Sequence, residues 1–326
     1  MVTKILIIRL SSIGDILHTM TVLPDIKNKL PNCEIDWLVD ANFEGVVKLA
    51  SLVDNVISIP LRKWKKNKLT WLYNILKFKK ITKLKQYDYI IDTQGLIKSA
   101  FLAKLLFSGP VYGLDNKSAR EKFSSLFYNY KYEVKQNNVA VIRLRGLISK
   151  IFELDTDLKD YKFLVDTLEA PLKFKNDYVL LLHGTSKDNK KWDLDNWIKL
   201  INWFIEHIDE NIVVTYSNSE ELNFVNKLAK KITNDRFVVI DKLNFAELSG
   251  LIKKSSLVIG VDTGFTHMAN LLRIPTIAIY LHSKPSYVGI VESNIAFNLG
   301  GFKENVSFEA VTNCITGNKL IYTHRL

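Results

Sequence analysis

Short apolar runs rich in Ile, Val and Leu alternate along this chain with longer stretches whose apolar positions recur at helical spacing. The first set of runs is KILIIRL (4–10), EIDWLVD (34–40), VDNVISIP (53–60), YDYIIDTQG (87–95) and PVYGL (110–114), separated by segments long enough for helices. A polar stretch near residues 155–177 interrupts the rhythm. It restarts with YVLLLHGTS (178–186), NIVVTYSN (211–218), RFVVI (236–240), SLVIGVDTG (256–264) and IPTIAIYLHS (274–283). Strand–helix alternation of this kind predicts an α/β protein with parallel, doubly wound sheets. The restart predicts two Rossmann-like domains, residues 1–168 and 169–326. In such sheets ligands collect at the carboxyl ends of strands, where loops run into helix N-termini. Four such ends carry candidate chemistry: Ser11 to Asp15, Asp92 to Gly95, His183 to Lys191 and Asp262 to His267.

Length agrees with that division, because 326 residues exceed what one hydrophobic core usually serves. Hydrophobic residues make up 47% and charged residues 24%, and no apolar run reaches the ~20 residues of a membrane-spanning helix. The N-terminal residues lack the basic, apolar and small-residue succession of a secretory signal, so a cytoplasmic location is expected. Cys33 and Cys314 stand far apart without metal-ligand spacing and read as ordinary thiols rather than a disulfide or zinc site.

Charge changes the picture more. The formal net charge is +11, and residues 1–168 carry 27 basic against 17 acidic side chains while residues 169–326 are nearly balanced. Between residues 62 and 85 lie ten bases and no acid: Arg62, Lys63, Lys65, Lys66, Lys68, Lys77, Lys79, Lys80, Lys83 and Lys85. An anionic partner is expected for this half. The stretch KLTWLYNILKFKKITKLK (68–85) mixes apolar residues with lysines; it suits a helix pressed on an anionic lipid surface or one packing its apolar stripe on the sheet. Nucleic acid is the other anion a basic chain raises, but no nucleic-acid reading motif accompanies the charge, and none is expected as a partner.

At the first strand end, SSIGD places a capping serine, a glycine that permits a tight turn, and Asp15 in the first helical turn. Asp15 there either complements the helix dipole or acts as a general base, and spacing does not decide between them. LLLHGTSKDNKKW offers small hydroxyl residues and Lys187, Lys190 and Lys191 after a buried-type strand, suited to phosphate oxygens, though the glycine pattern is not that of a Walker loop. VIGVDTGFTHMA sets Asp262, Thr263 and Gly264 at a strand end, with His267 about one turn further on. Together the two loops read as the jaws of a pyrophosphate site. The triplet Asp155-Thr156-Asp157 has the acid-x-acid form of some metal sites but lies near the domain linker and reads as a turn.

RLSSIGDILHTMTVLPDI (9–26), DTQGLIKSA (92–100), SAREKFSSLFYN (118–129) and VDTGFTHMA (261–269), in this order and spacing, closely resemble the lipopolysaccharide heptosyltransferases of glycosyltransferase family nine. The likeness extends over nearly the whole chain and weakens after about residue 285. It implies a GT-B fold, two Rossmann-like domains facing across a cleft, with the acceptor on the N-terminal domain and the sugar nucleotide on the C-terminal one. It implies transfer of heptose from ADP-L-glycero-β-D-manno-heptose to the first Kdo of Kdo-lipid A, with inversion, with no cofactor and no metal, at the cytoplasmic face of the inner membrane.

By the same resemblance Asp15 matches the catalytic base. Thr185, Ser186 and Lys190 match phosphate contacts, Glu221 a ribose or adenosine contact, and Asp262, Thr263, Gly264 and His267 the remaining diphosphate and sugar contacts. Arg62, Lys63, Lys66, Arg120 and Arg143 fall at positions used for the anionic acceptor. Ser186 stands where the family has a second threonine, and YSNSEE precedes Glu221 where a glycine is usual. The nearest rival is heptosyltransferase II or another family-nine enzyme; SSIGD and SAREKF favour the Kdo-directed type. A nucleotide-sugar epimerase shares the two-domain fold without explaining the basic face.

Overall fold

A computed structural model describes residues 2–66, 71–82, 85–135, 138–155, 157–169 and 177–321; of Arg62, Lys65, Lys66, Trp71, Leu72 and Ile81 only the backbone is described. The chain divides into two compact units, Met1–Asp166 and Thr167–Leu326, two residues before the boundary expected from the sequence.

The first unit runs β1 (Thr3–Ile8), α1 (Ile13–Met20), α2 (Leu23–Lys29), β2 (Cys33–Asp40), α3 (Glu44–Val47), β3 (Asn55–Ile59), α4 (Leu61–Lys66), α5 (Trp71–Thr82), β4 (Tyr89–Asp92), α6 (Ile97–Leu106), β5 (Val111–Leu114), β6 (Tyr130–Tyr132) and α7 (Ala140–Phe152). The second runs β7 (Tyr178–Leu182), α8 (Leu194–His207), β8 (Asn211–Thr215), α9 (Ser219–Ala229), β9 (Phe237–Ile240), α10 (Phe245–Lys253), β10 (Leu257–Val261), α11 (Gly264–Leu271), β11 (Thr276–Tyr280), α12 (Pro285–Val288), β12 (Ala296–Gly300) and α13 (Phe308–Gly317).

Both sheets are parallel, with strand orders β3-β2-β1-β4-β5-β6 and β12-β11-β10-β7-β8-β9. Numbered within its own unit, the second sheet has the same order as the first, that of dinucleotide-binding sheets. The winding direction therefore reverses between β1 and β4 in one unit and between β7 and β10 in the other. Register aligns the strand ends there: Ile8 lies beside Asp92, and Leu182 beside Gly260. The loops leaving each pair start side by side, opening the crevice in which such sheets bind ligands.

β7 and β10 are buried at every position, as a strand covered on both faces requires, and the core of the second unit gathers Val179, Leu181, Trp197, Phe204, Ile259 and Ile279. In the first unit Leu6, Ile8, Leu38, Ile90 and Leu106 form the corresponding core. Two of the four edge strands, β6 and β12, were not expected. Tyr130-Lys131-Tyr132 is short and largely exposed, and AFNLG is only partly buried, so neither shows the apolar run that marked the others.

In α5, Ile75 is buried and Phe78 meets the Trp64 ring edge-on at 5.9 Å, so part of its apolar stripe packs inward, while Tyr73 and Leu76 stay exposed. Residues 67–70 and 83–84 of the basic stretch, and Thr156 of the acid-x-acid triplet, lie outside the described residues. Asp157 accepts a turn bond from the Lys159 amide at 2.9 Å. Among the described residues, no helix is long and apolar enough to cross a membrane.

Candidate active site

In the first unit, Ser12 precedes α1, whose third residue is Asp15. The Ser12 amide and hydroxyl donate to Asp15 Oδ2 at 3.2 and 3.0 Å, folding the carboxylate back over the helix N-terminus. Its other oxygen, Oδ1, is 2.6 Å from Arg9 Nη2. Burial pushes the Asp15 pKa up, but Arg9, His18 and the two Ser12 bonds together hold it below the usual aspartate range. The side chain still exposes 29% of its surface, so the carboxylate is ionised and reachable.

Arg9 is fixed in turn. Its Nη1 donates to the Thr93 carbonyl, and its own carbonyl accepts the Trp37 indole N–H at 3.1 Å. Gln94 ties the loops after β1 and β4 together, accepting from the Leu10 amide at 2.9 Å and donating to the Ser11 carbonyl at 3.3 Å. Asp92, one of the candidate strand-end acids, is fully buried; it accepts from Ser99, Tyr128 and the Gln94 amide, and burial raises its pKa. It shapes the loop rather than facing a ligand. Gly95, at φ +64°, supplies the left-handed residue by which that loop enters α6.

In the second unit the loop after β7 and the turn after β10 converge on Asp262. Its Oδ2 takes Lys190 Nζ at 2.5 Å and the Ser283 hydroxyl at 2.5 Å, and its carbonyl accepts the Thr185 hydroxyl at 2.9 Å. Thr263 is the cap position of α11, yet its side chain makes no capping bond, and Gly264 begins the helix. The first amides of α11 are thus available to an anion. His267 is buried one turn along, and Ser186 is exposed on the loop.

Glu221 joins the same corner through a glycine. A Cβ built on Gly184 would lie 2.5 Å from Glu221 Oε1, so the carboxylate rests on the bare backbone after β7. Ser217 holds Glu221 Oε2 with its amide and its hydroxyl, each at 2.7 Å. His183 donates from Nε2 to the Thr215 carbonyl at 3.2 Å and stacks on Phe224 at 4.9 Å; burial lowers its pKa, leaving it neutral.

The structure therefore brings Thr185, Lys190 and Asp262 into one cluster, places Thr263 and Gly264 at the helix start beside it, and sets Glu221 against Gly184. The candidate acceptor cations are spread over the first unit. Lys63 is exposed on α4, whose backbone also carries Arg62 and Lys66; Arg120 is exposed after β5, and Arg143 is half-buried on α7, a helix packed on α1.

A model of glycosyltransferase family 9 (heptosyltransferase) matches residues 75–317. This chain belongs to glycosyltransferase family 9. Lipopolysaccharide heptosyltransferase 1 of Salmonella typhimurium is 31% identical to it over 293 residues, 88% of this chain and 90% of that protein. The solved structure of E. coli heptosyltransferase WaaC with ADP aligns with a TM-score of 0.85 at 27% identity, covering 97% of this chain and 100% of the other. E. coli ADP-heptose LPS heptosyltransferase II shares the fold, with a TM-score of 0.73 at 16% identity and coverage of 98% and 99%. Two Rossmann-like units of this kind make a GT-B-like α/β protein.

In this family 9 glycosyltransferase three residues of the site had gone unmarked in the sequence. Arg9 stands next to last in the run KILIIRL, and a cation directly after the apolar strand and just before SSIGD is the signal for it. Ser283 closes IPTIAIYLHS, three residues beyond β11, the strand next to β10. Gln94 lay within a marked strand end, but its reach back to residues 10 and 11 depends on β1 and β4 being neighbours.

Proposed function

We propose that this chain moves L-glycero-D-manno-heptose from ADP-heptose to the first Kdo of Kdo-lipid A in the synthesis of the lipopolysaccharide inner core. The observation that carries the reading is that one chain of this family has an ionised, partly exposed Asp15 at the switch point of its first unit and a lysine-bearing corner with an uncapped helix start at that of its second.

Asp15 accepts the proton of the attacking Kdo hydroxyl. Its depressed pKa makes it a weak base, adequate where the proton leaves late, as the oxygen bonds to the anomeric carbon and becomes acidic. The bond from that carbon to the ADP oxygen breaks on the opposite face, so configuration inverts and one carboxylate is enough; retention by double displacement would require a second, nucleophilic one. Asp15 keeps room for the proton, since a carboxylate offers about four acceptor sites and Arg9 and Ser12 use three.

The departing ADP gathers negative charge on its phosphates. Lys190, the first amides of α11, Thr185, Ser186 and Thr263 receive it, with His267 one turn further on; the reading is supported by the meeting of Thr185 and Lys190 at Asp262 and by the uncapped start of α11. Gly264 lets the diphosphate approach the helix start, and Glu221 is offered to the ribose hydroxyls. Arg62, Lys63, Lys66, Arg120 and Arg143 serve the Kdo carboxylate and the lipid A phosphates, to which arginine presents two parallel donors. The basic N-terminal unit holds the enzyme peripherally on the cytoplasmic face of the inner membrane, where such an acceptor is anchored.

The test is mass spectrometry of Kdo-lipid A incubated with ADP-heptose in EDTA, using the natural protein and Asp15→Ala with ADP binding intact. One added heptose with the natural protein alone is the expected result. Equal addition by both removes Asp15 as the base, and addition by neither points to another acceptor.

A further inference from the structure

The corner proposed for the diphosphate contains a group that phosphates should repel. Asp262 is a carboxylate, and its side chain exposes only 12% of its surface. Its Oδ2 is 2.5 Å from Lys190 Nζ and 2.5 Å from the Ser283 hydroxyl. Lys190, the cation assigned to the phosphates, is therefore already paired with an acid of the same corner. Lys191 is turned elsewhere, to Asp188 at 2.7 Å and to Glu220, and Lys187 is exposed on the loop.

A diphosphate gains Lys190 only in exchange for the lysine's bond to Asp262. The exchange leaves a largely buried carboxylate with one donor fewer, and such a charge is costly to strand. Ser283 stays with Oδ2 when the lysine goes, so the carboxylate is never without a partner. The vacated site on the carboxylate can only accept a hydrogen bond. Phosphate oxygens have no proton to give it, whereas the hydroxyls of a sugar do. A nucleotide that carries a sugar thus restores what its diphosphate takes from Asp262, and a bare nucleoside diphosphate does not.

We propose that Asp262, braced by Ser283, competes with the diphosphate for Lys190 and so sets the site to favour the sugar nucleotide over the nucleoside diphosphate that transfer leaves behind. The inference rests on the heptosyl-transfer reading above and adds to it a means of product release. Once the sugar has left, Asp262 loses its hydroxyl donors, takes Lys190 back and loosens the hold on ADP. A hydrogen bond to a charged group is worth about tenfold or more in an equilibrium constant, which sets the size of the effect.

Calorimetry with ADP, and with ADP-heptose in the absence of acceptor, tests it on the natural protein and on Asp262→Asn, a change that keeps the shape and removes the charge. The dissociation constant for ADP is expected to fall about tenfold. That for ADP-heptose changes by less than about threefold, because the variant weakens a sugar contact as it frees the lysine. The same substitution in a Lys190→Met background separates competition from plain repulsion. With no lysine to compete for, it moves the ADP constant by less than about threefold, whereas repulsion between Asp262 and the phosphates would act with or without the lysine. Ser283→Ala acts in the opposite direction. It makes the release of Lys190 costlier and weakens ADP binding about threefold or more, and Ser283→Thr, which keeps the hydroxyl, restores it.

Unchanged or weaker ADP binding in Asp262→Asn overturns the proposal, as does an equal tightening when Lys190→Met is also present. Equal tightening of ADP and ADP-heptose removes the discrimination and overturns it too. If Asp262→Asn does not fold, the Ser283 pair decides, and ADP affinity unchanged in Ser283→Ala is then the overturning result. No ADP binding by the natural protein defeats the heptosyl-transfer reading together with this inference; ADP binding that every substitution leaves unchanged defeats this inference alone.

Discussion

Asp15 owes its charge to a neighbour six residues earlier. The Arg9 guanidinium, the nearby His18 and the Ser12 bonds outweigh the effect of burial, so the carboxyl titrates below the usual aspartate range. A carboxyl depressed in the native state adds stability above its unfolded-state pKa and loses it as pH falls through the native one. For the reaction, the acid limb of kcat/KM lies below the usual aspartate range. Removing the guanidinium in Arg9→Met leaves burial as the dominant influence, so that limb moves toward neutral pH in a pH–rate profile. Asp15→Asn lowers kcat by about 10²–10⁴-fold, the usual reach of a general base, with ADP affinity retained in calorimetry. Asp15 was legible because a strand, a glycine turn and a helix cap stand in sequence around it. Its bond to Arg9 was not, because the path of residues 9–12 is set by Thr93 and Gln94, in the loop leaving a strand that becomes a neighbour only when the sheet forms.

The helix caps and strand ends show the same limit at the level of elements. α9 starts where Asn218 accepts from the amides of Glu220 and Glu221, and this places Glu221 within reach of the loop after β7. Asn before two glutamates is readable as a helix start. That the carboxylate then lies against Gly184 follows from β7 and β8 being paired. Gly184→Ala puts a methyl group 2.5 Å from Glu221 Oε1, too close to be borne, and so shifts the carboxylate whose Oε2 takes the two Ser217 bonds. Little change in melting temperature is expected, together with a severalfold or greater loss of ADP affinity by calorimetry. The central strands were legible as unbroken apolar runs since both of their faces are covered. β6 and β12 were missed because β6 has three residues, largely exposed, and β12 is only partly buried, so neither carries the apolar run that made the other edges, β3 and β9, legible.

Over the whole molecule, the net charge sits almost entirely in the first unit, while the corner proposed for the diphosphate lies in a nearly neutral one. Exposed charges act through the solvent and are screened over about 8–10 Å at ordinary salt. Raising salt from 50 to 500 mM is therefore expected to increase KM for the anionic acceptor severalfold, with a smaller change in the ADP dissociation constant, and initial rates at both salts check it. The two-unit division and the uneven charge were both readable by eye from the chain. The identical winding of the two sheets was not, because strand order is a property of which runs become neighbours. That winding has a bearing on durability. The groups proposed for the chemistry hang from β1, β4, β7 and β10, inner strands whose amides are closed off by neighbours on either side. Backbone of this kind exchanges its hydrogens only when the whole unit comes apart. Fraying at edges or termini leaves such a catalyst intact, so on slow heating it works at full rate until its fold is lost.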